Sequence, residues 1–329
     1  MEQPSNLLLK LAHRLFDNPD EEAKFIAALV HPQPFSPSIL WCQNLPETPP
    51  FTTETPTSWQ PKFVDRLQVG ERPGQHALHQ AGAFYCLDFS SIFAASVLLT
   101  IKQPIPLVLD VCAAPGGKSI FAWKALQPDL IFSNELIGKR LGMLISNLKR
   151  CQIQPGCVLN RDTSVLAQML KQSMSLVIVD APCSGQSLLA KREKAPGCFH
   201  QTVINKNANR QKRIIANSAG IVAPQGYLVY MTCTYSPEEN EQVCTWFLER
   251  FPQFKPVEVS PLSPYRSNLT TIPCYRMFPQ EGLGAGAFTV LFKNMTEGNP
   301  TQLIRDEILC SGVWYQHKNS FMSGSHNFS

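Results

Sequence analysis

Five short apolar runs, each closed by an acidic or small polar residue, constrain this chain more than any other feature. They are LVLDVC at Leu107–Cys112, LIFSN at Leu130–Asn134, CVLN at Cys157–Asn160, LVIVD at Leu176–Asp180 and YLVYMTC at Tyr227–Cys233. Runs this short and uniformly apolar suit strands buried on both faces, as in a parallel sheet. The segments between them have helical character. Lys139–Cys151 places Leu141, Leu144, Ile145 and Leu148 on one stripe, and helices are also predicted over Lys118–Leu126 and Thr202–Val222. Ser236-Pro237-Glu238-Glu239 reads as a capping box with proline in the first turn, opening a helix to about Phe251. AFTVLFK, Ala287–Lys293, supplies a last strand. Strand–helix alternation of this kind predicts a doubly wound, mostly parallel α/β sheet over residues 76–293.

The flanks differ. Residues 1–75 carry six Lys/Arg against nine Asp/Glu, a net −3, and nine prolines fall between Pro32 and Pro73. Helices are predicted from Leu7 to Phe16 and from Asp20 to Val30, with Asp20 as the cap. PETPPFTTETPTSWQP reads as irregular chain, because each X-Pro step disfavours helix. This is expected to be an N-terminal appendage and linker, a possible RNA-recognition element, and residues 294–329 are expected to be a loose tail. Eleven cysteines, an odd number, form no C-x-x-C pair and no zinc spacing, so no metal site is expected. With no apolar run near ~18 residues and no secretory signal pattern, the expectation is a cytoplasmic, membrane-free, monomeric protein with reduced thiols.

In a doubly wound sheet, ligands bind beyond the carboxyl ends of the strands. The turn D-V-C-A-A-P-G-G-K-S, Asp110–Ser119, lies at such an end and opens a helix. Small residues there admit a ligand close to the backbone, and helix N-terminal amides favour anionic groups. The pattern is neither G-x-G-x-x-G nor G-x-x-x-x-G-K-[ST], which argues against nicotinamide and nucleoside triphosphates. Glu135, after the second strand, is placed to accept from a ribose diol, and Asp162, after the third, to meet an adenine amine. Acids at successive strand ends favour a cofactor containing adenosine.

Three motifs then resemble one family. DVCAAPGGKS, DAPCSG at Asp180–Gly185 and YMTCTYSPEENE at Tyr230–Glu241 resemble the Nol/Nop/Sun family of RNA 5-methylcytosine methyltransferases. GAFYCLDFSSIFAASVLL, Gly82–Leu99, is similar to the family's lead-in, and the likeness spans about residues 75–293. The resemblance implies a class I methyltransferase fold, S-adenosylmethionine as cofactor and ribosomal or transfer RNA as substrate. It implies a cofactor site of Cys112, Ala113, Ala114, Pro115, Gly116, Gly117, Lys118, Glu135, Asp162 and Asp180. It further implies that Cys233 of the T-C motif is the nucleophile, that Cys183 of the P-C motif assists release, and that Asp180 lies near both cofactor and base. Two thiols suit this chemistry. Carbon 5 of cytosine is a poor nucleophile until a thiolate adds to carbon 6, and the adduct must afterwards be resolved. A methyltransferase using Cys183 as nucleophile, or a non-catalytic RNA-binding scaffold, are the alternatives.

The overall charge of +4 hides an uneven distribution. Lys191, Arg192, Lys194, Lys206, Arg210, Lys212 and Arg213 stand against a single acid, Glu193, in the stretch directly after the P-C motif. Lys191, Arg192, Lys194, Lys206 and Arg210 are the expected phosphate contacts. A second basic stretch, Gly138–Arg161, has five Lys/Arg and no acid. The chain departs from the family pattern in QSLLAKREKAPGCFH after Gly185 and in Gly284-Ala285-Gly286-Ala287-Phe288.

Overall fold

A computed structural model describes residues 3–46, 48–303 and 313–316. In chain order the elements are α1 (Asn6–Leu15), α2 (Pro19–Val30), β1 (Ser38–Trp41), β2 (Val64–Arg66), α3 (Ala77–Gln80), β3 (Phe84–Cys86) and α4 (Phe89–Ser96). Then come β4 (Leu107–Asp110), α5 (Gly117–Leu126), β5 (Leu130–Asn134), α6 (Gly138–Arg150), β6 (Gly156–Leu159), α7 (Thr163–Met169) and β7 (Met174–Asp180). The last are α8 (Gln201–Ala219), β8 (Val222–Thr232), α9 (Glu241–Arg250), β9 (Phe254–Pro256), β10 (Tyr275–Met277), β11 (Ala287–Asn294) and β12 (Val313–Gln316).

The main sheet runs β10-β11-β8-β7-β4-β5-β6-β12, with β9 paired to β11. Its centre, β8 through β6, is parallel, whereas β11, β10 and β12 run antiparallel. The predicted class is therefore the observed one. Alternate residues of each central strand enter opposite cores. Val108 and Ile178 face one cluster with α4, α5 and α6, while Leu109, Val177 and Val179 face another with α7, α8 and α9. The strand order reverses between β4 and β7, so their carboxyl ends bound the crevice where such folds bind ligands.

Four boundaries differ from the sequence expectation for physical reasons. The cap of α2 is Asn18, whose side chain accepts from Asp20 N, and Asp20 sits in the first turn instead. β8 begins at Val222, where a long helix had been expected to end. Ser236–Glu239 makes a turn rather than a helical first turn, and α9 starts at Glu241. Both side chains of that expected capping box are used elsewhere: Ser236 Oγ accepts from Gln186, and Glu239 accepts from Ser184 and Gln211. Within the expected tail, Val313–Gln316 pairs with β6, whereas residues 304–312 and 317–329 lie outside the described residues.

The N-terminal segment is built into the structure. β1 pairs antiparallel with both β2 and β3, so the small sheet joins strands from either side of residue 75. α1 and α2 bury Leu8, Leu11, Leu15, Phe25 and Leu29 against Ala190, Tyr235 and Ala285. No described helix is long and apolar enough to cross a membrane.

Candidate active site

The two cysteines singled out in the sequence converge. Cys183 follows β7 and Cys233 follows β8, neighbouring parallel strands, and their Sγ atoms stand 3.3 Å apart. Cys233 is exposed and Cys183 half-buried. The contact with Cys183 holds Cys233 below the usual thiol range, assisted by Ser187 and by the charge of Lys118 against burial and Asp180. Cys183 is pushed the other way, first by the same contact and then by burial. The two thiols are thus shifted in opposite directions, Cys233 down and Cys183 up.

Beside them, Lys118 Nζ donates to Asp180 Oδ2 at 2.9 Å, joining the first residues of α5 to the end of β7. The turn before α5 needs glycine: Gly116 has φ +117, and a Cβ on Gly117 would stand 2.6 Å from Leu87 Cδ1. Arg140 and Asn147 of α6 brace the turn by donating to Ala114 O and Pro115 O. Asp110 is fully buried; Oδ2 accepts from Ser119 Oγ at 2.7 Å, while Oδ1 has no hydrogen-bond partner. Burial pushes its carboxyl up to about 7.

Glu135 tests whether an adenosine-containing group fits. Its Oε1 accepts from Ile137 N at 2.8 Å. Its buried Oε2 lies 3.2 Å from Arg140 Nη1 yet out of hydrogen-bonding alignment, leaving an acceptor at the end of β5 for a hydroxyl donor. This fits a ribose. Asp162 caps α7, its Oδ1 accepting from Ser164 N and Oγ, and these bonds hold its carboxyl below the usual range.

The sequence did not reveal what holds the two thiol loops in register. Glu239, fully buried, accepts from Ser184 N at 2.9 Å, Ser184 Oγ at 2.5 Å and Gln211 Nε2 at 2.9 Å. Burial raises its carboxyl, against these hydrogen bonds. Gln211 also donates to Pro182 O at 3.0 Å. Gln186 clamps the other side: it donates to Cys198 O and Ser236 Oγ, and accepts from Tyr235 N at 2.8 Å and Ser236 N at 3.1 Å. Ser187 N donates to Cys233 O. One signal was legible, since Gln211 occupies a core position on the stripe Ile204–Ala208–Gln211–Ile215 of α8.

The basic residues divide as well. Lys191 Nζ pairs with Asp88 Oδ2 at 2.8 Å, and Arg192 donates to Pro32 O from Nε and Nη2 at 3.2 and 3.0 Å. Lys194, Lys206 and Arg210 are exposed, with Arg210 donating to Asn207 Oδ1. In the second stretch, Arg140 and Arg150 serve the fold, Arg150 donating to His79 O and Phe84 O. Among the described residues there is no cluster of His, Cys, Asp or Glu able to hold a metal ion.

Comparison with known proteins bears on the family and the fold. The family model described as 16S rRNA methyltransferase RsmB/F matches residues 97–293. The ribosomal RNA small subunit methyltransferase F of Vibrio parahaemolyticus is 34% identical over 179 residues, covering 54% of this chain and 37% of that protein. The protein of the same name from Enterobacter sp. strain 638 is 32% identical over 212 residues, covering 63% and 44%. The chain thus spans about two-fifths of the length of these curated relatives. Among solved structures, NSun6 from Pyrococcus horikoshii with SFG covers 89% of this chain and 99% of its own at 18% identity, with a TM-score of 0.70. A methyltransferase homolog protein from the same organism covers 88% and 99% at 19% identity, with a TM-score of 0.69. At these identities the two structures speak to the fold.

Proposed function

This chain belongs to the 16S rRNA methyltransferase RsmB/F family, within the Nol1/Nop2/Sun group, and from that premise we propose that it methylates carbon 5 of cytosine in RNA through a covalent cysteine–cytosine adduct. The observation that carries the reading is the 3.3 Å approach of Cys183 Sγ to Cys233 Sγ beside the Lys118–Asp180 pair. The family is one of S-adenosylmethionine-dependent methyltransferases. When bound, the cofactor supplies an electrophilic methyl group. The turn Cys112–Lys118 with Glu135, Asp162 and Asp180 would hold it, Glu135 accepting from the ribose.

The chain's own residues carry the rest. The Cys233 thiolate adds to carbon 6 of the base, and the electron pair of the carbon 5–carbon 6 double bond becomes available at carbon 5 for methylation. Afterwards the carbon 5 proton passes to solvent water, its C–H electron pair re-forms the carbon 5–carbon 6 double bond, and the carbon 6–sulfur bond breaks to return the Cys233 thiolate. Cys183, 3.3 Å from Cys233, assists this release. The target base must be unstacked to reach the thiol. Ribosomal or transfer RNA is the proposed substrate, with Lys194, Lys206 and Arg210 as exposed phosphate contacts beside Lys191 and Arg192. Bisulfite sequencing of ribosomal and transfer RNA from cells with and without the gene tests the reading. Loss of one or more methylated cytosines is expected, and an unchanged profile favours a non-catalytic scaffold. Cys183→Ser should accumulate the covalent adduct and Cys233→Ser should form none; an adduct with Cys233→Ser reverses the two roles.

A further inference from the structure

A cavity of about 480 Å³ opens next to this site, at the seam between the N-terminal segment and the catalytic domain. Three stretches wall it: Gln33–Ser38 before β1, Cys86–Phe89 of the lead-in, and Ala190–Arg192 after the P-C motif. Each is tied to a site loop or to another wall. Leu87 packs over Gly117 of the cofactor turn, Ser38 Oγ donates to Leu87 O, and Arg192 donates to Pro32 O. The short 3₁₀ segment Gln186–Lys191 begins where Ser187 N meets Cys233 O. At ~2 Å rise per residue it carries the chain ~8 Å from that contact to Lys191. One short segment therefore links the loop of the nucleophile to the wall of the cavity.

Its lining has the chemistry of a nucleotide. Phe35 is half-buried on one wall, a platform on which a base can stack. Lys191 and Arg192 bring positive charge to the rim, and the Asp88 carboxylate adds an acceptor. Burial opposes the Lys191 charge, but Asp88 and, beyond it, Cys233 more than offset this and hold its pKa above the usual lysine range. The volume falls within the range of small-ligand sites, large enough for one base with its ribose.

We propose that this cavity is a specificity subsite for the nucleotide flanking the target cytosine in single-stranded RNA, with Phe35 as the stacking wall and Lys191 and Arg192 as the phosphate contacts. The inference rests on the proposed function and adds a reason for the N-terminal segment: it builds half of the sequence-reading surface. In the test, purified protein methylates in-vitro transcribed ribosomal and transfer RNA together with a library of oligonucleotides carrying randomised nucleotides on both sides of one cytosine. The product is read by bisulfite sequencing. A preference at one flanking position is expected, and Phe35→Ala should flatten it about tenfold through KM with kcat little changed. Ser36→Trp, which fills the cavity from its half-buried wall without removing an apolar side chain, should abolish the preference at that position only. Methylation with no flanking preference, or a preference untouched by both variants, overturns the subsite and leaves the proposed function standing. No cytosine methylation on any RNA overturns both.

Discussion

Cys183 Sγ lies 3.3 Å from Cys233 Sγ, across two parallel strands whose ends no short-range rule of sequence would bring together. That contact holds Cys233 below the usual thiol range. Alkylation by iodoacetamide should therefore label Cys233 first, with a rate that titrates below the 9.0 of an ordinary thiol. Cys183→Ala removes the contact and should shift that titration toward higher pH. Equal labelling of both thiols, or no shift in the variant, would contradict the assignment.

Glu239 should behave as a structural carboxylate that positions both thiol loops. Glu239→Ala leaves Ser184 N and Gln211 Nε2 without their acceptor in a buried setting. At ~1–3 kcal/mol for each unmade bond, a loss of about 2–6 kcal/mol in urea unfolding is expected. The loss of methylation should exceed what the unfolded fraction explains, because Ser184 and Thr234 flank the two cysteines.

Two glycines make a matched pair. Gly82 has φ +75, and a Cβ there would stand 1.6 Å from Arg150 O, a backbone atom that cannot yield. Gly82→Ala is expected to cost about 3 kcal/mol or more, or to prevent folding. Gly142, inside α6, has nothing within 4 Å of such a Cβ. Gly142→Ala should raise stability by about 0.5–1 kcal/mol. Chemical denaturation of the two variants checks the contrast.

Asp110 predicts a pH dependence. Burial raises its carboxyl from 3.8 to about 7. Between those values the folded chain holds a proton that the unfolded chain has released, so this residue's contribution makes stability fall as pH rises from ~4 to ~7. Asp110→Asn keeps an acceptor for Ser119 and should flatten the slope by up to about 1.4 kcal/mol per pH unit. Urea unfolding at several pH values, without cofactor, measures it. Identical slopes in the two proteins would refute the prediction.

Much of the fold was legible because buried parallel strands leave a strong local signature. Leu107–Asp110, Leu130–Asn134 and Met174–Asp180 announce themselves through apolar runs closed by polar residues, and the observed strands match the expected ones to within a few positions. The motifs carried the candidate site because one short segment at each strand end contributes each group. Ser236–Glu239 was misread for the opposite reason. Its pattern matches a capping box, but long-range partners 28–55 residues away, Gln186, Ser184 and Gln211, claim both side chains. Basic residues were equally ambiguous: Lys191 also pairs with Asp88 and Arg192 also holds Pro32 O, while Arg150 of the second basic stretch donates to His79 O and Phe84 O.

The sequence by itself determined the sheet, the order of its motifs and the two candidate thiols, since each of these is written in residues close together along the chain. Only the tertiary structure brings the two thiols within 3.3 Å and shifts them in opposite directions, because that depends on a contact between loops fifty residues apart and on the charge of Lys118 beside them. It also decided where the N-terminal segment packs. Acidic and proline-rich, the segment reads as a linker; folded, its helices bury Phe25 edge-on against Tyr235 at 5.0 Å. Hydrophobic burial is blind to distance along the chain, so a stretch with weak local signals can still be packed into the core.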